Sequence, residues 1–133
     1  MPALCRCVVD FRVPDMGAAE DVLRRMRELC AVGPDVELDI NVELNRPPMV
    51  KTQAAADLLA LVQGYADRAG FLLEDAPMTG GGSDANFTSA MGIPTLDGLG
   101  ADGDGAHTLN EYILVSTLEQ RLKFWELLLR ELA

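Results

Sequence analysis

Residues 79–112 read TGGGSDANFTSAMGIPTLDGLGADGDGAHTLNEY, and the order of pieces in this stretch decides how the rest of the chain is read. The triplet Gly80–Gly82 precedes Ser83, which is placed to cap a short helix ending near Gly92. A glycine-rich turn at a helix entrance can present backbone N–H groups to a phosphate or carboxylate, or can simply be a tight turn. Composition leaves both readings open. No lysine follows the glycines, so the turn is not a P-loop. Ile93–Leu96 reads as a buried strand running into the loop DGLGADGDGAH, residues 97–107. Within that loop Gly98-x-Gly100-x-x-Gly103 is a literal dinucleotide fingerprint, but Asp102 and Asp104 would face the phosphates and no long helix begins there. A calcium loop is excluded as well, because Ala106 occupies the third ligand position and the closing glutamate is missing. His107 and Glu111 are four apart and would share one face of a helix. A lone histidine is commonly structural, yet α/β sites gather beyond strand C-termini, where His107 falls.

Upstream, Cys5, Cys7, Val9 and Phe11 alternate with Arg6, Asp10 and Arg12, the pattern of a strand with one wet face. Cys5 and Cys7 read as small buried hydrophobes on that strand. Asp15 can cap a helix whose stripe is Ala19, Val22, Leu23, Met26, Leu29 and Cys30, ending at Gly33-Pro34. VELDINVEL, residues 36–44, is the clearest strand. Arg46-Pro47-Pro48 breaks the pattern and marks a boundary, giving domains 1–46 and 47–133. Thr52 then caps a helix with the stripe Ala55, Leu58, Leu59, Val62, Tyr65, Ala66 and Ala69, stopped by Gly70; Phe71–Leu73 is a short strand. The closing helix carries a capping box at Thr117 and Gln120 and the stripe Leu118, Leu122, Trp125, Leu128, Leu129 and Leu132. The fold class is α/β: a β-α-β piece, then an αβαβα segment.

The 133 residues suit one ordinary domain or part of a larger one, and their formal net charge of -10, without a basic cluster, argues against nucleic acid and anionic membranes. No stretch is apolar enough to span a bilayer and no secretory leader is visible, so a reducing cytoplasm is expected. Three unpaired-looking cysteines and a single histidine leave no metal site built mainly from imidazoles.

Taken together, GG-G-SD, a G-x-P strand, a glycine-rich loop and H-x-x-x-E closely resemble the C-terminal stretch of the two-zinc metallopeptidase and amidohydrolase family of glutamate carboxypeptidase, acetylornithine deacetylase, aminoacylase and succinyl-diaminopimelate desuccinylase. VVDFRVP (residues 8–14), followed by a helix and a strand ending NRPP (residues 45–48), resembles the second half of that family's ferredoxin-like lid, or dimerisation, domain. The resemblance spans the chain but only about the last third of a family member. It implies that His107 is the last metal ligand, with Glu111 supporting its surroundings. Arg12, in D-x-R at the end of the lid strand, would reach a substrate carboxylate, often in the neighbouring subunit. Arg46 would be a second carboxylate contact near the hinge. Gly81, Gly82 and Ser83 would line the substrate pocket with backbone donors. The complete enzyme would hold two zinc ions, pair as a homodimer and cleave amide bonds in N-acyl amino acids or small peptides with a free carboxylate.

The departures are as specific. The family's H-x-D pair, bridging aspartate and Glu-Glu pair are missing from this sequence, so no catalytic residue is assigned and the chain is expected to be inactive alone. A non-catalytic dimerisation or regulatory remnant is the alternative. The family commonly has N-x-V-P before the lid strand, where this chain opens Met1-Pro2; the reading frame is therefore expected to begin inside a longer coding sequence.

Overall fold

The computed structural model describes residues 3–132, so the Met1-Pro2 opening lies outside the described residues. The order of elements is α1 (Met16–Arg27), α2 (Gln53–Ala69), α3 (Ala85–Ala90), β1 (Gly103–Asp104), β2 (Tyr112–Ile113), a 3₁₀ turn (Val115–Thr117) and α4 (Leu118–Glu131). Among the described residues the chain is thus mixed helix with one small two-stranded sheet. It divides into two compact units, one running to Val50 and taking in Met78–Met91, the other built from Lys51–Pro77 and Gly92 onward.

In the first unit α1 starts where its cap predicts: Asp15 Oδ1 accepts the Ala18 N–H at 2.8 Å. It ends earlier than expected, with Glu28 at its C-terminus rather than Gly33-Pro34. Arg24, Arg25 and Arg27 fill its last turn, where cations are favoured by the helix dipole. Leu29 and Cys30, expected on its stripe, lie past it and are exposed.

The two strands expected at 4–13 and 36–44 do not form ladders among the described residues. Neither segment has regular secondary structure, and the second keeps its alternation only in its latter half: Ile40, Val42 and Leu44 are half-buried while Asn41 and Glu43 are exposed, but Val36 and Leu38 are exposed too. A strand exists only through hydrogen bonds to a neighbour, and two short segments without further strands are marginal in water. In the first segment Phe11 and Val13 are half-buried, but residues 4–10 are exposed. Val8 is 95% exposed, and Cys5 and Cys7 are exposed free thiols rather than buried hydrophobes.

The second unit contains the main core. The Thr52 hydroxyl accepts the Ala55 N–H at 3.2 Å, and Gly70 closes α2 at φ 95°, a left-handed conformation that favours glycine. α2 presents Val62, Tyr65, Ala66 and Ala69 to Phe124 and Leu128 of α4, with Leu73 beside them. Phe71–Leu73 is therefore not a strand. The Phe71 N–H caps α2 by donating to the Ala66 carbonyl at 3.1 Å, and the Leu73 carbonyl accepts from Gln63 Nε2 at 2.9 Å. Ile93–Leu96 likewise lies outside any ladder, with Ile93 exposed and Leu96 packed against the core.

The entrance to α4 corrects the expected capping box. Thr117 has helical backbone angles and caps nothing with its side chain; its hydroxyl donates back to the Leu114 carbonyl at 2.8 Å. Gln120 Nε2 instead donates to the Gly70 carbonyl at 2.9 Å, tying α4 to the end of α2. The buried face of α4 is set by Phe124, so Leu118, Leu122, Trp125, Leu129 and Leu132 remain exposed.

Arg68 and Glu131 join α2 to α4 through two hydrogen bonds of 2.6 and 2.8 Å. This contact holds the Glu131 carboxyl below its ordinary range. A lowered folded-state value means that the stabilisation is complete above the unfolded carboxyl value and is lost as pH falls through the folded one. Glu131→Gln is accordingly expected to flatten the acid limb of a Tm-against-pH curve and leave its neutral-to-basic shape alone. An acid limb unchanged by the substitution would show that the pair contributes nothing, as exposed pairs sometimes do.

Candidate functional site

The first unit brings Arg12 and Arg46 to opposite ends of the glycine triplet. A Cβ built on Gly80 would lie 3.6 Å from Arg12 Cδ, and one built on Gly82 would lie 3.5 Å from Arg46 Cδ and 3.6 Å from its Nη1. Arg12 also borders an open cleft of about 260 Å³ lined by Val13, Pro14, Met78, Thr79 and Gly80. Its side chain is 62% exposed, and its Nη2 lies 3.9 Å from Asp10 Oδ2, a loose pair that leaves it available to an anion.

Arg46 is more constrained. Its Nη2 lies 3.3 Å from Asp84 Oδ1, and its guanidinium carbon sits 5.1 Å above the centroid of the Phe87 ring. A guanidinium over an aromatic face keeps its planar fork oriented while its edge stays open to a carboxylate.

The turn itself divides its donors. Gly81 donates to the Thr79 hydroxyl at 3.4 Å, and Ser83 donates to Asn86 Oδ1 at 3.0 Å. Among the described residues the N–H groups of Gly80 and Gly82 have no hydrogen-bond acceptor. Asp84, not Ser83, stands at the N-cap of α3 and makes no side-chain cap bond, while the Ser83 hydroxyl one residue earlier accepts the Ala85 N–H at 3.0 Å. The free donors of the turn are thus next to the two arginines. Asp84, Asn86 and Phe87 were not singled out from the sequence. Asn86 could have been: it stands three residues after Ser83, the spacing of a capping box.

In the second unit His107 lies at the tip of a hairpin, not on a helix. The stem pairs Gly103 with Ile113 and Asp104 with Tyr112, and the Leu114 N–H donates to the Asp102 carbonyl at 2.7 Å. His107 has φ 66°, making it the positive-φ non-glycine position among the described residues. Such a conformation is uncommon for a residue with a side chain and persists where surrounding contacts impose it. Here those contacts are the His107 N–H to Glu111 Oε2 bond of 3.1 Å and the Thr108 N–H to Gly105 carbonyl bond of 3.0 Å. Glu111 therefore meets the histidine through its backbone, not its ring. The stem rests on Arg121, which pairs with Asp102 and stacks 4.1 Å from the Phe71 ring centroid. Of the fingerprint glycines, Gly103 lies in this hairpin, while Gly98 and Gly100 precede it with nothing within 4 Å of an added Cβ. Gly105 sits at φ 73°, and a Cβ on Gly103 would lie 2.0 Å from the Tyr112 carbonyl oxygen.

Among the described residues no three histidine, cysteine, aspartate or glutamate side chains converge as a metal site. His107 is the chain's one imidazole, so this donor set does not by itself fit a pair of metal ions.

The first unit thus holds an arginine-bracketed glycine turn, and the second holds a histidine at a hairpin tip. The class is settled by comparison: the peptidase family M20/M25/M40 matches residues 6–131, and the chain belongs to that family. It is also similar to carboxypeptidase G2 from Pseudomonas sp. (strain RS-16), 30% identical over 90 residues. That alignment covers 67% of this chain and 22% of the relative's length. No solved structure matches. Among the described residues no helix is long and apolar enough to cross a membrane.

Proposed function

We propose that this chain is the C-terminal portion of a zinc-dependent hydrolase that cleaves amide bonds in N-acyl amino acids or small peptides bearing a free carboxylate. The carrying observation is the placement of Arg12 and Arg46 at the two ends of Gly80–Gly82, beside unpaired backbone donors. Guanidinium and N–H groups converging on one turn suit a carboxylate, because charge-assisted bonds to it are stronger than neutral ones. Likeness to a carboxypeptidase, an enzyme acting at a free C-terminal carboxylate, supports the same substrate class. In this reading His107 offers one imidazole to a metal whose other ligands lie outside the chain. No hydrolytic step is assigned to these residues, and the chain alone is inactive. A cytoplasmic setting accords with three free cysteines.

A second reading, a pairing or regulatory remnant, is favoured by the exposed row Leu118, Leu122, Trp125, Leu129 and Leu132 on α4. Their 4-3-4-3 spacing is that of a helix-pairing seam.

One set of measurements tests both. The purified chain is assayed for bound zinc and for release of amino acids from N-acetyl substrates, alone and with the N-terminal part of a family member. N-acetyl-L-glutamate binding is measured in parallel. Binding by the chain, no turnover alone and turnover with the partner fragment are expected. Arg12→Ala and Arg46→Ala should each weaken binding about tenfold or more, the scale of one charged hydrogen bond. Two tightly bound zinc ions with turnover by the chain alone would refute the incomplete-site reading. Absence of turnover in every mixture, together with a stable dimer by light scattering, would favour the pairing module.

A further inference from the structure

We propose that Asn86 is a positioning residue that builds the Arg46 end of the carboxylate receptor; the inference rests on reading Arg46 as a carboxylate contact. Asn86 is half-buried, and its amide spends both of its ends on that region. Oδ1 accepts the Ser83 N–H at 3.0 Å, while Nδ2 donates to the Pro47 carbonyl at 2.8 Å. The first bond is the return half of a capping box and needs only an acceptor, a task that a carboxylate performs equally well. The second needs a donor, which a carboxylate lacks. Only a side chain with both can join the glycine turn to the segment that carries Arg46.

The bond to Pro47 falls on the residue directly after Arg46. Proline has no N–H, so its carbonyl is the backbone group this residue offers to a clamp, and its fixed φ transmits the constraint to the preceding residue. Asn86 thus holds the Arg46 backbone, while its neighbours Asp84 and Phe87 hold the guanidinium. Those two contacts are weak supports by themselves: the Asp84 side chain is 96% exposed, and exposed pairs contribute little. Without the clamp, Arg46 would sample many rotamers and lose its register with the Gly82 N–H. Asn86 itself does not border the open cleft beside Arg12 and acts through Arg46.

The test uses the whole chain with the substitutions Asn86→Asp, which keeps the acceptor and removes the donor, and Asn86→Ala, which removes both without adding charge. Nuclear magnetic resonance follows the Arg46 side-chain signals, which the Phe87 ring shifts, and the exchange of the Ser83 amide. N-acetyl-L-glutamate is the probe for affinity. In Asn86→Asp the Ser83 amide is expected to stay protected while the Arg46 signals move toward those of a free arginine. Affinity should fall about tenfold in each variant that folds, and the fall should vanish in an Arg46→Ala background, as for two residues acting as one unit. Arg46 signals unmoved in Asn86→Asp would overturn the proposal, and so would a loss of affinity that persists in Arg46→Ala. If the unsubstituted chain ignores the probe yet Asn86→Asp still releases Arg46, positioning stands and the carboxylate reading fails.

Discussion

Phe124→Ala is expected to unfold the second unit under conditions where the unsubstituted chain is native. Phe124 is fully buried and is among the largest side chains that the core encloses. Its ring meets Phe71 edge-on at 5.5 Å and Trp125 at 5.8 Å. Deleting a buried phenylalanine side chain costs about 3–5 kcal/mol through lost transfer energy and the remaining cavity. Each aromatic contact adds about 0.5–1.5 kcal/mol beyond area. Small units are stabilised by little more than that sum. Urea unfolding followed by circular dichroism should lose its native baseline in Phe124→Ala and keep it in Phe124→Leu, which retains most of the volume. An unchanged midpoint in the alanine variant would mean that α2 and α4 are not held together by this ring.

Gly103→Ala should open the hairpin that carries His107. The added methyl would stand 2.0 Å from the Tyr112 carbonyl oxygen and 3.0 Å from the Ile113 Cα, both backbone atoms of the paired strand. Neither can move without breaking the two-residue ladder, so the strain is not relieved by a rotamer change. Overpacking of this kind costs about 1–3 kcal/mol, comparable with everything that so short a ladder contributes. Amide exchange gives the readout: the Leu114 N–H, bonded to the Asp102 carbonyl at 2.7 Å, should lose protection, and so should the His107 N–H. Gly100→Ala is the control, since nothing lies within 4 Å of a Cβ there. Equal exchange in the two variants would show that the stem does not hold the histidine.

How far the sequence can be read follows from the range of the forces involved. α1 and α2 begin at Asp15 and Thr52 as their caps predict, and α2 ends at Gly70, because caps and left-handed glycines act within a few residues. Alternation at 4–13 and 36–44 predicts strands, but a ladder requires a neighbour, and no local pattern supplies one. On α4 the Leu-Trp stripe is regular, and yet all of it except Leu128 is exposed. The inward face is chosen by Phe124 meeting Phe71, a contact between distant segments that periodicity cannot weigh. Among the site residues, the roles expected for Arg12, Arg46 and the glycine turn rest on a motif, and their common unit comes from the structure. Asn86 was hidden because half of its bonding reaches 39 positions back, to Pro47.

The left-handed backbone of His107 bears on kinetics as well as geometry. Its bearing is imposed by Glu111 and the Gly105–Thr108 turn, bonds that this chain makes with its own atoms. A cation arriving at this imidazole would meet a donor whose backbone is already turned, so capture need not wait for the hairpin to reorganise. The ordering entropy is spent during folding, before encounter. On the proposed reading of His107 as a metal ligand, this corner of the site would be the early, stiff one, and the slow step of metal loading would fall to the other ligands.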